Sequence, residues 1–474
     1  EGWWWWWWCG VWEMRNGVVF GGEEEEEEYI VAESKDVWSN FSDGCTIRLL
    51  CPHKHIDPIH ALLSTLEDEL GCMVGTNVYL TPGASTTNGR SRKQSSQGFA
   101  PHYDDIEAFI LQLEGYKRWK VYAPMSKRET LPRKSSRDFN TKEDAEKMGE
   151  PVIDVELGPG DVLYLPRGWI HQASTTCRTV NSSSSSHGSG KNHHHSLHLT
   201  ASVMQNWSWV DLLEMVLPGA LDAVAESDMT TSLRAGLPRN FLEYMGTMHE
   251  QNDGGAGGDL PEGLKQIASK MKDNEDSNNN PKRKKDAKEL EDDKKKVLQK
   301  AFQSEAKKKM MRVFKQALTM ITAGCDEMGK RHLSDRLPPA FTPQEAALTH
   351  ENRVGNGGRI WPNTMVRLAR PGLARLVVED GDADGDGGKK VVLYHSVDNS
   401  RVYREQPLSP MEFEIDDAPA LEMLITTVEP HWVCVRDLIH GDIEDKMDIA
   451  QSLYDEGILA IFQEDNPDTT VQTG

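Results

Sequence analysis

His102 and Asp104 stand two residues apart in "GFAPHYDDIEAFILQLEGYKRWKVYAP", which runs from Gly98 to Pro124. On an extended chain they point to the same side, with Cα atoms roughly 6.6 Å apart from the strand rise. An imidazole and a carboxylate, joined by a second imidazole, make the facial triad that holds Fe(II) and leaves positions open for reactants. Alone, the H-x-D pair is a weak signal, because it also serves as an ordinary turn or hydrogen-bonded pair. Its company weighs more. His171 follows the turn and strand of "GPGDVLYLPRGWIHQA", where a closing barrel would bring it back beside the first pair. Lys117 opens the segment after Gly115, where a single cation can bind a carboxylate of a cosubstrate. Tyr79 in "TNVYLTP" and Thr200 in "HSLHLTASV" lie on the polar faces of alternating strands and can hydrogen-bond the same group. Gathering His, Asp, His, Lys, Tyr and Thr in one barrel interior is costly without a metal and an anionic ligand.

The elements that must position these residues read as mixed α+β. From Thr76 to about Met204 the chain shows many short strands with turn signals, the pattern of a barrel or double-sheet jelly roll. Within it, "IEAFILQL" and "KRWKVYAP", joined by Glu114-Gly115, read as a hairpin. Upstream, "CTIRLLCP" suggests a strand and "DPIHALLSTLEDELG" a helix ending at Gly71. The polar inserts "STTNGRSRKQSSQ" and "NSSSSSHGSGKNHH" read as surface loops. Downstream, "SWVDLLEMVLPGALDAV" has an apolar stripe and a Ser208–Asp211 capping box. Residues 251–296 read as a disordered linker, followed by a long amphipathic helix from Leu298 to Ile321. The expected boundaries are a low-complexity start at 1–28, a catalytic jelly roll at 29–205, a helical region at 206–330 and a small α+β module at 331–474.

Taken together, "TNVYLTPGAS", "PHYDDIEAFILQLEGYKRWKVYAP", "GDVLYLPRGWIHQA" and "HSLHLTASV" closely resemble the JmjC-domain ribosomal oxygenases. That family is described as nucleolar histidyl-hydroxylases of ribosomal proteins and as lysine-specific histone demethylases. Carried over by position, the resemblance implies that His102, Asp104 and His171 bind Fe(II). It implies that Lys117, Tyr79 and Thr200 hold the distal carboxylate of 2-oxoglutarate, with dioxygen as the other reactant. It further implies a JmjC double-stranded β-helix, a helical dimerisation region and a C-terminal winged helix, in that order. The expected reaction couples oxidative decarboxylation of 2-oxoglutarate to hydroxylation of a substrate C–H bond. On histidine the product is a stable alcohol; on methyl-lysine the hydroxymethyl group is lost as formaldehyde. The rival reading is a non-catalytic cupin-like scaffold. The chain departs from the family in its N-terminal part, where Trp3–Trp8 and Glu23–Glu28 form runs, and in the two polar inserts.

Composition limits the partners. The 474 residues carry 53 Lys plus Arg against 75 Asp plus Glu, a net charge of -22. Such a chain is poorly suited to gripping phosphate backbones and better matched to a basic protein, such as a ribosomal protein or a histone tail. Between Gly441 and Asn466 Lys446 is the sole basic residue, so a winged helix there is expected to serve protein contacts and not DNA. Seven scattered cysteines without a C-x-x-C pair point to a reducing compartment. No apolar run approaches the ~20 residues of a membrane helix. "PKRKK" at Pro281–Lys285 reads as a nuclear localisation signal or a solvated charge run, and the family's habit favours nucleus and nucleolus. The sequence starts at Glu1 and not at Met, which leaves a preceding segment open. Three other candidates carry less: the His193–His195 tract reads as exposed, "CPHKHIDPIH" lacks zinc spacing, and "DGDADGDGG" reads as a hairpin turn, since Val391 stands where a calcium loop needs Glu.

Overall fold

The computed structural model describes residues 11–15, 18–20, 30–31, 34–83, 99–140, 142–175, 195–227, 231–249, 281–349, 358–380 and 388–462. The tryptophan and glutamate runs and both polar inserts lie outside the described residues. Two compact units result: residues 1–208 with 328–474, and residues 209–327.

The first unit opens with β1 (Val11–Arg15), β2 (Val18–Phe20), β3 (Ile30–Val31), helix α1 (Ser34–Ser42), β4 (Thr46–Leu50) and helix α2 (Asp57–Leu70). It continues through β5 (Gly75–Thr81), β6 (Glu107–Glu114), β7 (Lys117–Tyr122), β8 (Ile153–Leu157), β9 (Val162–Leu165), β10 (Ile170–Thr175) and β11 (Ser196–Val203). The larger sheet has the order β3-β2-β1-β4-β5-β11-β6-β9, and the smaller β10-β7-β8. Alternation decides which face each residue takes. Ala108 and Ile110 of β6 pack with Leu163 and Leu165 of β9 against Trp119, Val121 and Leu157 of the small sheet, filling the space between the sheets. On the outer face of the large sheet, Leu199, Ala201 and Val203 of β11 pack with Val74 against Leu63 of α2. The result is a jelly roll.

The expected hairpin between β6 and β7 does not form. β6 pairs with β11 and β9, whereas β7 pairs with β10 and β8, so the chain changes sheets at Gly115. Gly115 has φ +65°, and a Cβ there would sit 1.7 Å from the His195 carbonyl oxygen. A tight turn between two alternating strands looks the same in sequence whether it closes a hairpin or rounds the corner of a two-sheet fold. The choice lies in the distant strands β8 to β11.

The second unit contains α3 (Trp209–Glu226) and α4 (Pro281–Thr319), and α5 (Ile321–Asp335) begins in it. Val216, Ala220 and Ala317 form its core with Leu212, Leu217, Val313 and Met320 around them. The expected disordered linker needs correction over 281–296, which is helical. After Pro281, tolerated in a first turn, this stretch has no Gly or Pro and is dominated by the good helix former Lys. Residues 251–280 of that linker lie outside the described residues.

The rest of the first unit comprises β12 (Met365–Leu368), β13 (Ala374–Asp380), β14 (Lys389–His395), β15 (Met411–Phe413), α6 (Ala418–Thr426), β16 (Val433–Cys434), α7 (Ile443–Asp455) and β17 (Leu459–Phe462). Leu421 and Leu424 of α6 and Leu453 and Tyr454 of α7 are buried against Val366, Leu368 and Ile461. β13 and β14 are antiparallel with Asp380 opposite Lys389, so the acidic stretch connects a hairpin; its residues 381–387 lie outside the described residues. No helix among the described residues is long and apolar enough to cross a membrane.

A charged network joins α2 to this C-terminal part. Arg336 donates to Asp68 at 2.5 Å, and Arg370 grips both oxygens of Glu345 at 2.8 and 2.7 Å while reaching Asp68 at 3.3 Å. Glu67 accepts from the backbone N–H groups of Val74 and Leu337, at 3.1 and 2.9 Å. Burial pushes its carboxyl up to about 7 against the pull of Arg336. Arg370→Ala leaves Glu345 and Asp68 partly buried without that partner, and should lower unfolding stability by about 3 kcal/mol. Chemical denaturation of the purified chain checks this; an unchanged midpoint would show that the network adds nothing.

Candidate metal and cosubstrate site

Backbone pairing puts the two imidazoles side by side. His102 and His171 form an antiparallel bridge, with His102 N–H donating to the His171 carbonyl at 3.2 Å and the reverse bond at 2.8 Å. Residues directly opposite across such a pair project to the same side. Their ring centroids are 4.5 Å apart. The turn before β10 depends on Gly168, at φ +88°, where a Cβ would lie 2.2 Å from the Glu129 carbonyl oxygen. Gly168 also donates its N–H to the Asp104 carbonyl at 3.1 Å, tying that turn to the third residue.

Each imidazole is held by its Nδ1, 2.8 Å from the Ala100 carbonyl for His102 and 3.2 Å from the Trp169 carbonyl for His171. A carbonyl oxygen only accepts, so Nδ1 carries the proton and the Nε2 lone pair faces inward. The His102 Nε2 lies 3.9 Å from Asp104 Oδ1, and the His171 Nε2 lies 3.6 Å from Oδ2. These separations are too long for hydrogen bonds, yet an ion with bonds of about 2.1 Å can span donors up to about 4.2 Å apart. The three ligand atoms all fall within 4.8 Å of one another. Burial, reinforced by His102, holds His171 down to about 4, so it is neutral and ready to donate its lone pair at ordinary pH. Two imidazoles, each held by a backbone carbonyl, and one carboxylate fit a divalent iron ion.

A cluster of polar side chains occupies another part of the barrel interior. Lys117 is 3% exposed, and its ammonium donates to Thr81 Oγ1 at 3.2 Å and lies 5.7 Å from the Trp119 ring centroid. Among the described residues no carboxylate pairs with it, and burial pulls it down to about 7. Tyr79 stacks on His198 at 4.9 Å, and Trp119 meets His198 edge-on at 5.5 Å. Arg48 of β4 lies 5.7 Å from the Tyr79 ring centroid. Burial and Lys117 keep His198 well below its usual range, hence neutral. The buried Trp119 Nε1 and His198 Nδ1 have no hydrogen-bond partner among the described residues. An unpaired buried ammonium beside unsatisfied indole and imidazole nitrogens suits an anionic ligand rich in acceptor oxygens, as a dicarboxylate is.

The structure thus brings His102, Asp104 and His171 together and places Lys117 and Tyr79 inside the same barrel. Thr200 faces Asn77 of β5 and Ile110 of β6, four positions along β11 from Ser196, the residue paired with Thr81. The hydroxyl that Lys117 reaches is Thr81's, which sequence reasoning did not single out, although the alternation of "TNVYLTP" puts it on Tyr79's face. His198 is buried at 3% exposure between Tyr79 and Trp119. His195 is half-buried and pairs with Glu114 at 2.7 Å. Among "CPHKHIDPIH", His60 Nε2 is taken by the Pro338 carbonyl at 2.9 Å, and no described metal-binding group includes that stretch.

Residues 49–194 match the JmjC domain, and residues 337–463 match the C-terminal winged helix domain of ribosomal oxygenase 1. This chain belongs to the JmjC-domain ribosomal oxygenase family. Its relatives include ribosomal oxygenase 1 of Rattus norvegicus, 35% identical over 431 residues, covering 89% of this chain and 58% of that protein. The Homo sapiens ribosomal oxygenase 1 is 34% identical, covering 89% and 54%. The bifunctional lysine-specific demethylase and histidyl-hydroxylase NO66 of Dictyostelium discoideum is 34% identical, covering 89% and 66%. This chain therefore spans about half to two thirds of the length of these relatives. A solved structure of Escherichia coli YcfD, a ribosomal oxygenase, covers 95% of this chain and 85% of its own at 13% identity and a TM-score of 0.35.

Proposed function

We propose that this chain is an Fe(II)- and 2-oxoglutarate-dependent oxygenase that hydroxylates a histidine side chain of a ribosomal protein. The observation that carries the reading is the convergence of His102, Asp104 and His171 in a barrel that also buries the unpaired ammonium of Lys117. In this reading the three side chains hold the iron, and Lys117, with the Thr81 hydroxyl and Tyr79 beside it, binds the far carboxylate of 2-oxoglutarate. Thr200 lines the same interior face. Bound iron would couple oxidation of the cosubstrate by dioxygen to oxidation of a substrate C–H bond. The protein's own part is to fix both imidazoles by their Nδ1 protons, bind the dicarboxylate, and keep the interior shielded by Trp119 and the surrounding apolar residues.

Demethylation of a methylated histone lysine is the second reading, favoured by relatives whose name joins both activities. A basic protein substrate suits the net charge of -22 in either case. We place the protein in the nucleus, with the nucleolus as its site, from "PKRKK" in the first turns of α4 and the ribosomal substrate. A homodimer is part of the reading. Exposed Trp209, Leu213 and Leu221 on α3, and Val297, Met311 and Leu318 on α4, offer apolar surface for it. Incubating the chain with Fe(II), 2-oxoglutarate and candidate peptides, followed by mass spectrometry, separates the outcomes. One added oxygen on histidine supports the proposal, loss of a methyl group from lysine supports demethylation, and absence of succinate with every peptide would leave only a binding scaffold.

A further inference from the structure

A second group of metal-type ligands sits in the C-terminal part. His395 ends β14, Asp398 follows in the next loop, and Glu456 lies at the end of α7; one ligand atom from each falls within 4.8 Å of the others. An acidic pair on a surface is common and carries nothing by itself. Here the third member is different. His395 is 3% exposed, its Nε2 points to Glu456 Oε1 at 3.8 Å, and its polar neighbours are the Ser409 backbone and the two carboxylates, none of which makes a hydrogen bond of normal geometry to either ring nitrogen. A buried imidazole in this state is only poorly compensated for the water it has lost, and an ion bound to Nε2 would make up the difference. The Asp398 and Glu456 carboxylates are in hydrogen-bond contact with each other, and no lysine or arginine among the described residues forms an ion pair with either. The end of α7 adds the negative pole of a helix to the same place.

From this geometry we infer that His395, Asp398 and Glu456 form a metal site, distinct from the jelly-roll centre, that takes a divalent first-row transition ion such as Zn²⁺. The imidazole selects against Ca²⁺ and Mg²⁺, which prefer all-oxygen sites, and two carboxylates neutralise the ion's charge. Bound there, the ion fastens the end of β14 to the end of α7, which in sequence are separated by β15, α6 and β16. Its role is to stabilise the C-terminal module, and it takes no part in oxygenation. The competing arrangement is a proton shared between the two carboxylates, and the hydrogen bond with Asp398, helped by burial, does hold Glu456 up to about 7.

The test uses the full chain carrying His102→Ala and Asp104→Ala, so that the jelly-roll site no longer contributes. After treatment with chelator, isothermal titration with Zn²⁺ should show an equivalent of bound ion, and the melting temperature should rise in zinc. Adding Glu456→Gln, a substitution of a partly exposed residue, should remove that equivalent or weaken it at least tenfold and abolish the zinc-dependent rise. Asp398→Asn should do the same, with circular dichroism confirming that both variants fold. If the parent chain binds no zinc, the proposal is overturned. Zinc binding and thermal shift left unchanged by Glu456→Gln also overturn it, since the ion then sits elsewhere, the His193–His195 tract included.

Discussion

His171→Ala should abolish 2-oxoglutarate turnover and weaken iron binding by more than a hundredfold, on the order of the largest losses seen for residues that merely orient a ligand. The jelly roll should survive. His171 belongs to β10 through backbone bonds, and residues 170–175 stay paired with β7 whatever side chain stands there. What disappears is one of the three proposed ligands and the bond from Nδ1 to the Trp169 carbonyl, worth about 1 kcal/mol. Iron titration and succinate formation measure the loss, and circular dichroism reports the fold. Native-like iron affinity in the variant would mean that His171 is not a ligand.

Lys117→Met should act on a different quantity. Removing a buried cation from a carboxylate it binds costs about 3 kcal/mol, or roughly a hundredfold and more in the dissociation constant for 2-oxoglutarate. Iron affinity should be unaffected. The apo protein should be no less stable and even somewhat more so, because Lys117 is buried with no carboxylate partner among the described residues. A structural lysine predicts the opposite pattern, with stability lost and cosubstrate affinity kept.

The pH dependence follows from burial. Lys117 is held down to about 7, below its ordinary 10.5, because its charged form is desolvated. Below pH 7 the ammonium is already present to receive a carboxylate. Above pH 7 the pocket lysine becomes neutral and must take up a proton on binding, so affinity should fall by up to about tenfold per pH unit. In Lys117→Met this slope should vanish. For folding the sign is reversed. Between pH 7 and 10.5 the unfolded chain binds the extra proton, so this group's contribution to stability rises with pH across that window.

How legible the site was depended on how local its signals are. His102 and Asp104 share one strand-like segment, and period-two alternation alone puts them on one side. The face carrying Asn77, Tyr79 and Thr81 is equally plain, as is α2 with its end at Gly71, which takes the left-handed conformation at φ +63°. The turn at Gly115 was misread because a hairpin and a sheet crossover make the same local demand. Residues 281–296 were misread because charge-rich composition was weighed above helix propensity. Thr81 and His198 were legible as inward-facing, but no local signal says which inward hydroxyl meets Lys117. That depends on the register between β5 and β11 and on where β7 lies in the opposite sheet.

By itself, then, the sequence determined the types of side chain available, the face of each strand on which they stand, and membership in an oxygenase family. Those properties arise from bonded geometry and short-range pattern, which act over a few residues. Only the tertiary structure decided that His171 pairs with His102 across 69 positions (171 − 102). It alone decided that Lys117 ends beside Thr81, and that His395 meets Glu456 far along the chain. Such meetings are set by strand order and close packing of the whole unit, where each contact is chosen by all the others and by no nearby residue.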